Sequence, residues 1–179
     1  IMHQLHSDVI NRLDAAPAKK LEGDALMTNV PGLLLVIRTA DCLPVLLVDE
    51  ENRAVAAVHC GWRGTEKRIL EKAVRAMGEF YGTKAGDLLA ALGPCIGPAC
   101  YEVGPEVREG FLRSGFPPSL FTERGQVPGV HVPLLKPKYL LDLPAANLWL
   151  LGTLGFKKAN IFNPGPTCTH CEPRLLSYR

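Results

Sequence analysis

Stretches of apolar and polar residues divide the chain into recognisable elements. Leu43–Val48 and Ala54–Cys60 are almost continuously apolar, which is typical of strands that are buried on both faces. Gly32–Arg38 has the same character and predicts another buried strand. The polar stretch Asn11–Gly23 predicts a surface loop. A polar kink at residues 39–42 separates two of the predicted strands, and we expect reactive side chains there.

Two helices are predicted with clear boundaries. In the first, Thr65 is a favourable N-cap and Gly82 is a favourable stop, so the helix should extend to about Tyr81. Apolar residues at helical spacing form one face of it. They are Ile69, Leu70, Ala73, Val74 and Met77. The second helix is Leu143–Leu154, which Gly155 ends.

Shorter elements complete the pattern. Leu88–Leu92 and Ala159–Phe162 predict strands, Pro105–Ser114 predicts a short helix, and residues 115–137 predict a long loop rich in Pro and Gly. Strands and helices do not alternate strictly, as they do in a doubly wound sheet, so the pattern predicts an α+β fold. A chain of 179 residues has the size of one domain, and we expect a single domain over residues 1–179.

Composition and charge exclude several classes of protein. With 47% hydrophobic and 21% charged residues, the chain is not intrinsically disordered. The net charge of +2 is spread along the sequence, which predicts neither a nucleic-acid partner nor a membrane partner. The apolar runs are far shorter than the ~20 residues that span a bilayer. Because no export signal is visible, the six cysteines are expected to be reduced and the protein cytoplasmic.

Metal-binding side chains follow the predicted strands. Cys42 comes directly after the kink residue Asp41, and His59 lies at the end of a strand. A thiolate and an imidazole on neighbouring strand ends can bind one metal ion, zinc above all. The spacing alone leaves two other interpretations open. His59 could be a polar residue at the rim of the sheet, and Cys42 could belong to the core.

Five groups of motifs together resemble the YfiH-type laccase-domain family, also called multicopper polyphenol oxidoreductases. They are Gln4-Leu5-His6, Thr39–Pro44, Ala57–Gly64, Leu92–Gly97 with Cys100–Val103, and Cys168-Thr169 with Ser177–Arg179. They occur in the family's order and cover nearly the whole chain. The resemblance implies a four-layer α/β/β/α arrangement of mixed β-sheets. It also implies a chain that is shorter at both ends than is usual in the family.

The resemblance implies one metal ion, usually zinc, on His6, Cys42 and His59. Three protein ligands leave a fourth position open, which is typical of a catalytic zinc. The same His2Cys set matches a blue-copper site, so copper is the alternative metal. Cys60 stands where family members usually carry a small residue. It either competes for the metal or fills a small pocket in the core.

The activity that the resemblance implies is the phosphorolysis of adenosine, inosine or methylthioadenosine, with possible adenosine deamination. The partners would then be a purine nucleoside and phosphate. Arg63 and Arg38 are predicted to hold phosphate, although Arg63 could instead stack on Trp62. Asp41 is predicted either as a general acid or base, or as a residue that orients a ligand histidine.

Two other functions stay open. One is a copper-dependent polyphenol oxidase, but the chain has only five histidines and no His-x-His pair, too few for a multicopper centre. The other is a non-enzymatic, metal-stabilised interaction domain. The open coordination position and the neighbouring arginines favour an enzyme over an interaction domain.

The remaining candidate residues lie in the second half of the chain. Arg179 belongs to the closing motif and is predicted to line the pocket. Cys95, in a Gly/Pro loop, is predicted to contact substrate, with a nucleophilic role beside His59 or His170 as the alternative. Cys168 and Cys171 form half of a zinc ribbon and lack a second pair, so no separate structural zinc is predicted. His3 and His131 carry no motif and are predicted at the surface.

Overall fold

The fold contains nine strands and four helices within the residues that the computed structural model describes, which are 2–124, 137–165 and 167–179. The strands are β1 (Ile10–Arg12), β2 (Ala25–Thr28), β3 (Leu43–Asp49), β4 (Ala54–Cys60), β5 (Leu89–Leu92), β6 (Glu102–Val103), β7 (Phe121–Glu123), β8 (Tyr139–Leu141) and β9 (Ile161–Phe162). The helices are α1 (Trp62–Glu66), α2 (Ile69–Tyr81), α3 (Pro105–Arg113) and α4 (Leu143–Thr153). None of these four helices combines the length and the apolar character needed to cross a membrane.

The strands form two sheets of different size. The larger has the order β1-β2-β4-β3-β5-β9 and is mixed, because β1 pairs with β2 and β5 with β9 in parallel while the inner pairs are antiparallel. The smaller sheet, β6-β8-β7, is antiparallel. This confirms the predicted α+β class, with helices and two sheets in one mixed fold.

Much of the core lies between the larger sheet and α2, and buried residues of α3 and α4, such as Phe111 and Leu150, extend it. Alternate residues of β3 are buried, and the whole of β4 except Val55 is buried. The apolar face of α2 is the one predicted from its helical spacing, and all five predicted residues are buried. Gly82 ends α2 with a positive φ of 75°, as expected for a glycine stop.

The start of this helical region differs from the prediction. Thr65 lies inside α1 rather than at an N-cap, and its buried hydroxyl accepts a hydrogen bond from Asn147 Nδ2 at 3.2 Å. Arg68, with a φ of 62°, separates α1 from α2. A left-handed residue cannot continue an α-helix, so the chain turns there. The helix predicted from Thr65 to Tyr81 is therefore two helices.

The predicted strand Gly32–Arg38 is wrong. These residues form no strand, and Leu34 is 86% exposed. An apolar run becomes a strand only where another strand supplies its backbone hydrogen bonds, and none does so among the described residues. The predicted loops are also too long, since β1 extends to Arg12, inside Asn11–Gly23, and β7 lies within 115–137. Most of that second loop, with His131, lies outside the described residues.

A buried carboxylate at the end of β3 stabilises the turn into β4. Asp49 accepts hydrogen bonds from the Asn52 N–H at 3.0 Å, from Asn52 Nδ2 at 2.8 Å and from Thr83 Oγ1 at 2.5 Å. Burial raises the pKa of Asp49, but the hydrogen bonds from Asn52 and Thr83 outweigh it and hold this pKa below its usual value. The stabilisation is therefore complete above the ordinary carboxyl pKa and is lost as the pH falls through the lowered one.

We expect Asp49→Ala to lower the free energy of unfolding by about 2–3 kcal/mol, because buried donors lose their acceptor. Asp14→Ala is the control, since Asp14 pairs with Arg12 at the surface and should cost less than about 1 kcal/mol. Urea unfolding followed by circular dichroism measures both. Equal losses in the two variants would show that the Asp49 hydrogen bonds do not stabilise the fold.

Candidate metal centre

All three predicted ligands come together at one end of β3 and β4. Each of His6, Cys42 and His59 offers a donor atom, and these atoms lie within 4.8 Å of one another. The rings of His6 and His59 are 5.0 Å apart between centroids, at an angle of 71°. His59 is buried, Cys42 is half-buried and His6 is exposed. The group is therefore anchored in the sheet on one side and faces solvent on the other.

Gly61 leaves space for this group. A Cβ at this position would lie 3.0 Å from His6 Cδ2 and 3.1 Å from Cys42 Sγ. Any larger residue would push the two side chains apart, so the glycine permits their close approach. Two imidazoles and a thiolate at this spacing are ligands that suit zinc, and a copper site uses the same set. The residues present thus fit a metal ion.

Asp24 supports two of the three candidate ligands, although it belongs to none of the sequence motifs. Its side chain is completely buried, and Oδ1 accepts hydrogen bonds from His59 Nδ1 at 2.8 Å and from the His6 N–H at 3.0 Å. Oδ2 accepts from the Leu5 N–H at 3.2 Å and from the N–H and hydroxyl of Ser7, both at 2.6 Å. One carboxylate therefore orients the His59 ring and the loop that carries His6.

These hydrogen bonds determine the chemical form of His59. Burial raises the pKa of Asp24, but hydrogen bonds from Ser7 and His59 outweigh it, so Asp24 stays ionised. An ionised carboxylate only accepts, so His59 Nδ1 carries the hydrogen and Nε2 keeps a free lone pair. Burial lowers the pKa of His59, although Asp24 opposes this effect. A neutral imidazole with Nε2 free is the form that binds metal.

We expect Asp24→Asn to weaken metal binding by about 10–100-fold, the usual loss when the partner of a ligand histidine is changed. The Asn side chain keeps one acceptor oxygen, but its NH2 group faces N–H donors that the Asp24 carboxylate accepts from. The orientation of the His59 ring and of the His6 loop should therefore be lost. The variant should also lose about 1–3 kcal/mol of folding free energy, because buried N–H donors lose their acceptor. Competition with a chromophoric zinc chelator measures the affinity.

Asp49→Asn is the matched control for this variant, because Asp49 is also a buried carboxylate of the same sheet but contacts none of the candidate ligands. It should lower stability and leave the metal affinity unchanged. A similar loss of affinity in both variants would mean that general destabilisation, rather than the Asp24–His59 hydrogen bond, explains the effect.

Cys42, one of the candidate ligands, and Cys60, which follows the ligand His59, have different surroundings. Burial, then Asp41 and Asp24, raise the pKa of Cys42 to about 11, so a bound metal must displace its proton. Cys60 follows His59 on β4, and successive side chains of a strand point to opposite faces. Its side chain is fully buried in the core. Of the two roles open for Cys60, the structure supports filling a core pocket.

Asp41 lies next to Cys42 with a φ of 78°. Its carboxylate accepts hydrogen bonds from Thr169 Oγ1 at 2.6 Å and from the Tyr178 N–H at 2.7 Å. Burial raises the pKa of Asp41, but these bonds and one from Ser177 outweigh it and lower the pKa. Asp41 thus attaches the C-terminal segment to the centre, while the carboxylate that orients His59 is that of Asp24.

Two of the predicted arginines, Arg63 and Arg179, stack on aromatic rings. The guanidinium of Arg63 stacks on the Trp62 ring at 4.4 Å, and that of Arg179 lies over the Tyr101 ring at 5.1 Å. Burial raises the pKa of the Tyr101 hydroxyl, and the positive charges of Arg179 and Arg63 oppose this effect. These groups therefore lie within electrostatic reach of one another.

Arg38 is connected to the His6 segment through its backbone. The side-chain amide of Gln4 donates to the Arg38 carbonyl at 2.8 Å and accepts from the Arg38 N–H at 2.7 Å. The Arg38 side chain is exposed. Gln4, which the sequence showed only as part of a motif, therefore aligns the loop that bears a ligand with the segment that leads to Cys42.

Cys95 is the remaining predicted site residue. It is buried and lines a cavity of about 220 Å³ between β3, the Gly93–Pro98 loop and α4. Burial raises the pKa of the Cys95 thiol to about 12, which does not favour the nucleophilic alternative. His170 Nδ1 bonds to the Arg179 carbonyl at 2.9 Å, and His3 is exposed as predicted.

Sequence reasoning missed Asp24, yet a signal was present. Asp24 directly precedes the apolar strand β2, and a carboxylate at a buried position is costly unless it is hydrogen-bonded. An acidic residue at the start of a buried strand is therefore a candidate partner for a ligand. The strand itself is only four residues long and was not predicted.

Comparison with known proteins agrees with this geometry. Residues 1–179 match the family described as multi-copper polyphenol oxidoreductase laccase. Purine nucleoside phosphorylase YfiH of Shigella flexneri is 36% identical over 180 residues, which are 99% of this chain and 67% of that protein. Adenosine deaminase RL5, from an unknown prokaryotic organism, is 39% identical over 153 residues, or 85% of this chain and 55% of that protein.

The crystal structure of the hypothetical protein YfiH from Bacillus licheniformis has a TM-score of 0.84 at 27% identity, covering 99% of this chain and 67% of the other. The chain spans only 40% of the length of a further curated relative, from Bacteroides thetaiotaomicron. The match over the whole chain, the fold and the motifs agree. The chain therefore belongs to the YfiH-type family of multi-copper polyphenol oxidoreductase laccase domains.

Proposed function

We propose that this protein is a zinc-dependent purine nucleoside phosphorylase that acts on adenosine, inosine or methylthioadenosine. The observation that carries the proposal is the His6, Cys42 and His59 group, which Asp24 anchors and which is open to solvent at His6. Arg63 follows His59 by four residues in the chain. Relatives named purine nucleoside phosphorylase support the choice of reaction. With it we propose the reduced, cytoplasmic setting that the sequence predicts.

The proposed centre uses three protein ligands and keeps one position for substrate or water. A bound zinc ion would supply Lewis acidity at that position. Asp24 keeps the His59 ring in one orientation and one tautomer, so the centre is preorganised before substrate arrives. Gly61 leaves the space next to His6 and Cys42 free of side-chain atoms.

Arg63, Arg38 and Arg179 are the residues that we propose to hold phosphate and substrate. In phosphorolysis, the glycosidic bond breaks while positive charge develops on the ribose, and phosphate then attacks the sugar. Guanidinium groups bind a phosphate dianion with two parallel hydrogen bonds and fix its position. Holding both reactants in place is worth ~7–11 kcal/mol of the barrier in favourable cases.

We propose that Asp41 positions the C-terminal segment and that Cys95 contacts the substrate. Through Thr169 and Tyr178, Asp41 keeps the segment that carries Arg179 beside the centre, and its lowered pKa keeps it available as a base rather than an acid. Cys95 lines the neighbouring cavity, where we propose that part of the substrate is enclosed.

Adenosine deamination is the second candidate activity. The similarity to a relative named adenosine deaminase favours it. An open metal position beside a carboxylate is also what the hydrolytic release of an amine requires. Both activities would use one centre, so the same substitutions should affect both.

Copper-dependent phenol oxidation is less favoured by the same site. Within the described part of the chain, only two histidines contribute to a candidate metal group, whereas a multicopper oxidase needs several metal ions in proximity. The donor set alone would still accept one copper ion. A non-enzymatic interaction domain would use neither the open position nor the exposed arginines.

The experiment is an incubation of purified, zinc-loaded protein with inosine or adenosine, with and without inorganic phosphate. We expect free base and ribose 1-phosphate only when phosphate is present, and ammonia from adenosine. A copper-loaded sample with a phenolic substrate and oxygen tests the alternative. Phenol turnover with copper, together with no nucleoside cleavage under any condition, would overturn the proposal.

A further inference from the structure

A second group of sulfur atoms lies outside the centre described above. Cys100, Cys168 and Cys171 each offer a donor atom within 4.8 Å of the others, and the Cys100 and Cys171 sulfurs are 3.4 Å apart. The pair Cys168 and Cys171 alone predicted no second site, because the sequence holds no second Cys-x-x-Cys. Folding supplies the third thiol from a loop that is 71 residues away from Cys171.

Backbone hydrogen bonds bring the two segments together. Cys168 forms an isolated bridge with Cys95, and the Thr169 N–H donates to the Cys95 carbonyl at 3.0 Å. The Cys171 N–H donates to the Cys168 carbonyl at 3.1 Å, which closes a tight turn and places both thiols on one side of it. The Cys100 N–H donates to the Gly97 carbonyl at 3.0 Å, which turns Cys100 toward them.

Gly97 makes a specific contact with the central sulfur of the group. Its backbone N–H donates to Cys168 Sγ at 3.1 Å. A Cβ on Gly97 would lie 3.1 Å from the Cys168 Cβ, so the close approach depends on the glycine. An N–H group directed at a sulfur is the support that thiolate ligands of metal ions commonly receive from their surroundings.

We propose that Cys100, Cys168 and Cys171 form a second metal site, which binds one thiophilic ion of the zinc class. Three thiolates suit such an ion and not a hard cation such as magnesium or calcium. Cys171 is exposed and Cys100 and Cys168 are half-exposed, so an ion can enter from solvent and a water molecule can complete its coordination. Binding displaces one proton from each thiol into solvent.

The arrangement favours a metal site over a disulfide. A disulfide bond between Cys100 and Cys171 would use only two of the three thiols. It would leave out Cys168, whose sulfur accepts the hydrogen bond from the Gly97 N–H. A metal ion uses all three sulfurs. It would also join the 97–101 loop to the C-terminal segment, which carries the Asp41 contacts and Arg179.

The test is zinc stoichiometry by elemental analysis of protein purified under reducing conditions and saturated with zinc. We expect two equivalents per chain in the unchanged protein, and one in Cys171→Ser and in Cys100→Ser. Cys42→Ser should also bind one, and the Cys42→Ser, Cys171→Ser double variant none. Glu172→Gln, a substitution next to Cys171 that leaves every thiol in place, should still bind two.

Cobalt substitution gives a second measurement that does not depend on activity. Thiolate-to-cobalt charge-transfer absorption reports sulfur ligands, so most of it should remain in Cys42→Ser and be lost in Cys171→Ser. Full zinc content in Cys171→Ser would overturn the proposal, and so would a Cys100–Cys171 disulfide found by mass spectrometry in the reduced preparation. Because the readout is metal content, the result is independent of the proposed phosphorylase activity.

Discussion

Cys42→Ala is expected to lower the zinc content of the protein by one equivalent per chain and to leave the fold largely intact. Cys42 supplies the thiolate of the His6, Cys42 and His59 group, and two histidines alone, one of them exposed, bind zinc weakly. Binding free energies of structural zinc sites are about 10–16 kcal/mol. The loss of one of three protein ligands should therefore weaken zinc binding strongly.

Cys60→Ala is the matched control, because Cys60 is a neighbouring cysteine whose side chain is fully buried in the core. We expect this variant to lose some stability and no zinc. Elemental analysis and circular dichroism measured on the same samples separate the two effects. Unchanged zinc in Cys42→Ala, or loss of zinc in Cys60→Ala, would contradict the ligand assignment.

Arg63→Ala is expected to reduce phosphate-dependent release of the purine base by about 10²–10³-fold, the range found when one charge-stabilising donor is removed from an active site. Arg63 is exposed and follows the candidate ligand His59 by four residues in the chain. The exposed Arg63 guanidinium stacks on the half-buried Trp62 indole, a contact worth about 0.5–2 kcal/mol, so the variant should remain folded. Zinc content should not change, because arginine is not a ligand.

Two further variants sharpen this test. Arg63→Lys keeps the charge but not the planar pair of donors, so it should recover only part of the activity if phosphate is held by two parallel hydrogen bonds. Arg75→Ala is the control, since Arg75 is an exposed residue of α2 that pairs with Glu71. Base release in Arg63→Ala equal to that in Arg75→Ala would exclude Arg63 from phosphate binding.

The predictions from sequence were most accurate where the structure depends on neighbouring residues in the chain. The spacing of five apolar residues predicted the buried face of α2, and continuous apolar runs predicted β3 and β4. The helical period and the burial of a strand on both faces are local properties. The motifs likewise indicated which residue types form the candidate centre, and the structure places three of them together.

Leu33–Ile37 shows why the same reasoning failed elsewhere. Its apolar composition is that of a buried strand, but a strand also needs a partner for its backbone groups, and composition carries no information about that partner. The break at Arg68 has a similar cause. The Arg68 side chain bonds to the Ser114 carbonyl at 3.1 Å, a contact across the fold that no window of neighbouring residues contains.

The sequence by itself determined the α+β class, the buried runs of the larger sheet and the residue types of the candidate metal centre. Only the tertiary structure decided that Asp24, and not Asp41, orients His59, that Cys60 belongs to the core, and that Cys100 joins Cys168 and Cys171. The physical reason is the distance along the chain. Asp24 and His59 are 35 residues apart, and Cys100 and Cys171 are 71 apart, so folding alone creates these contacts.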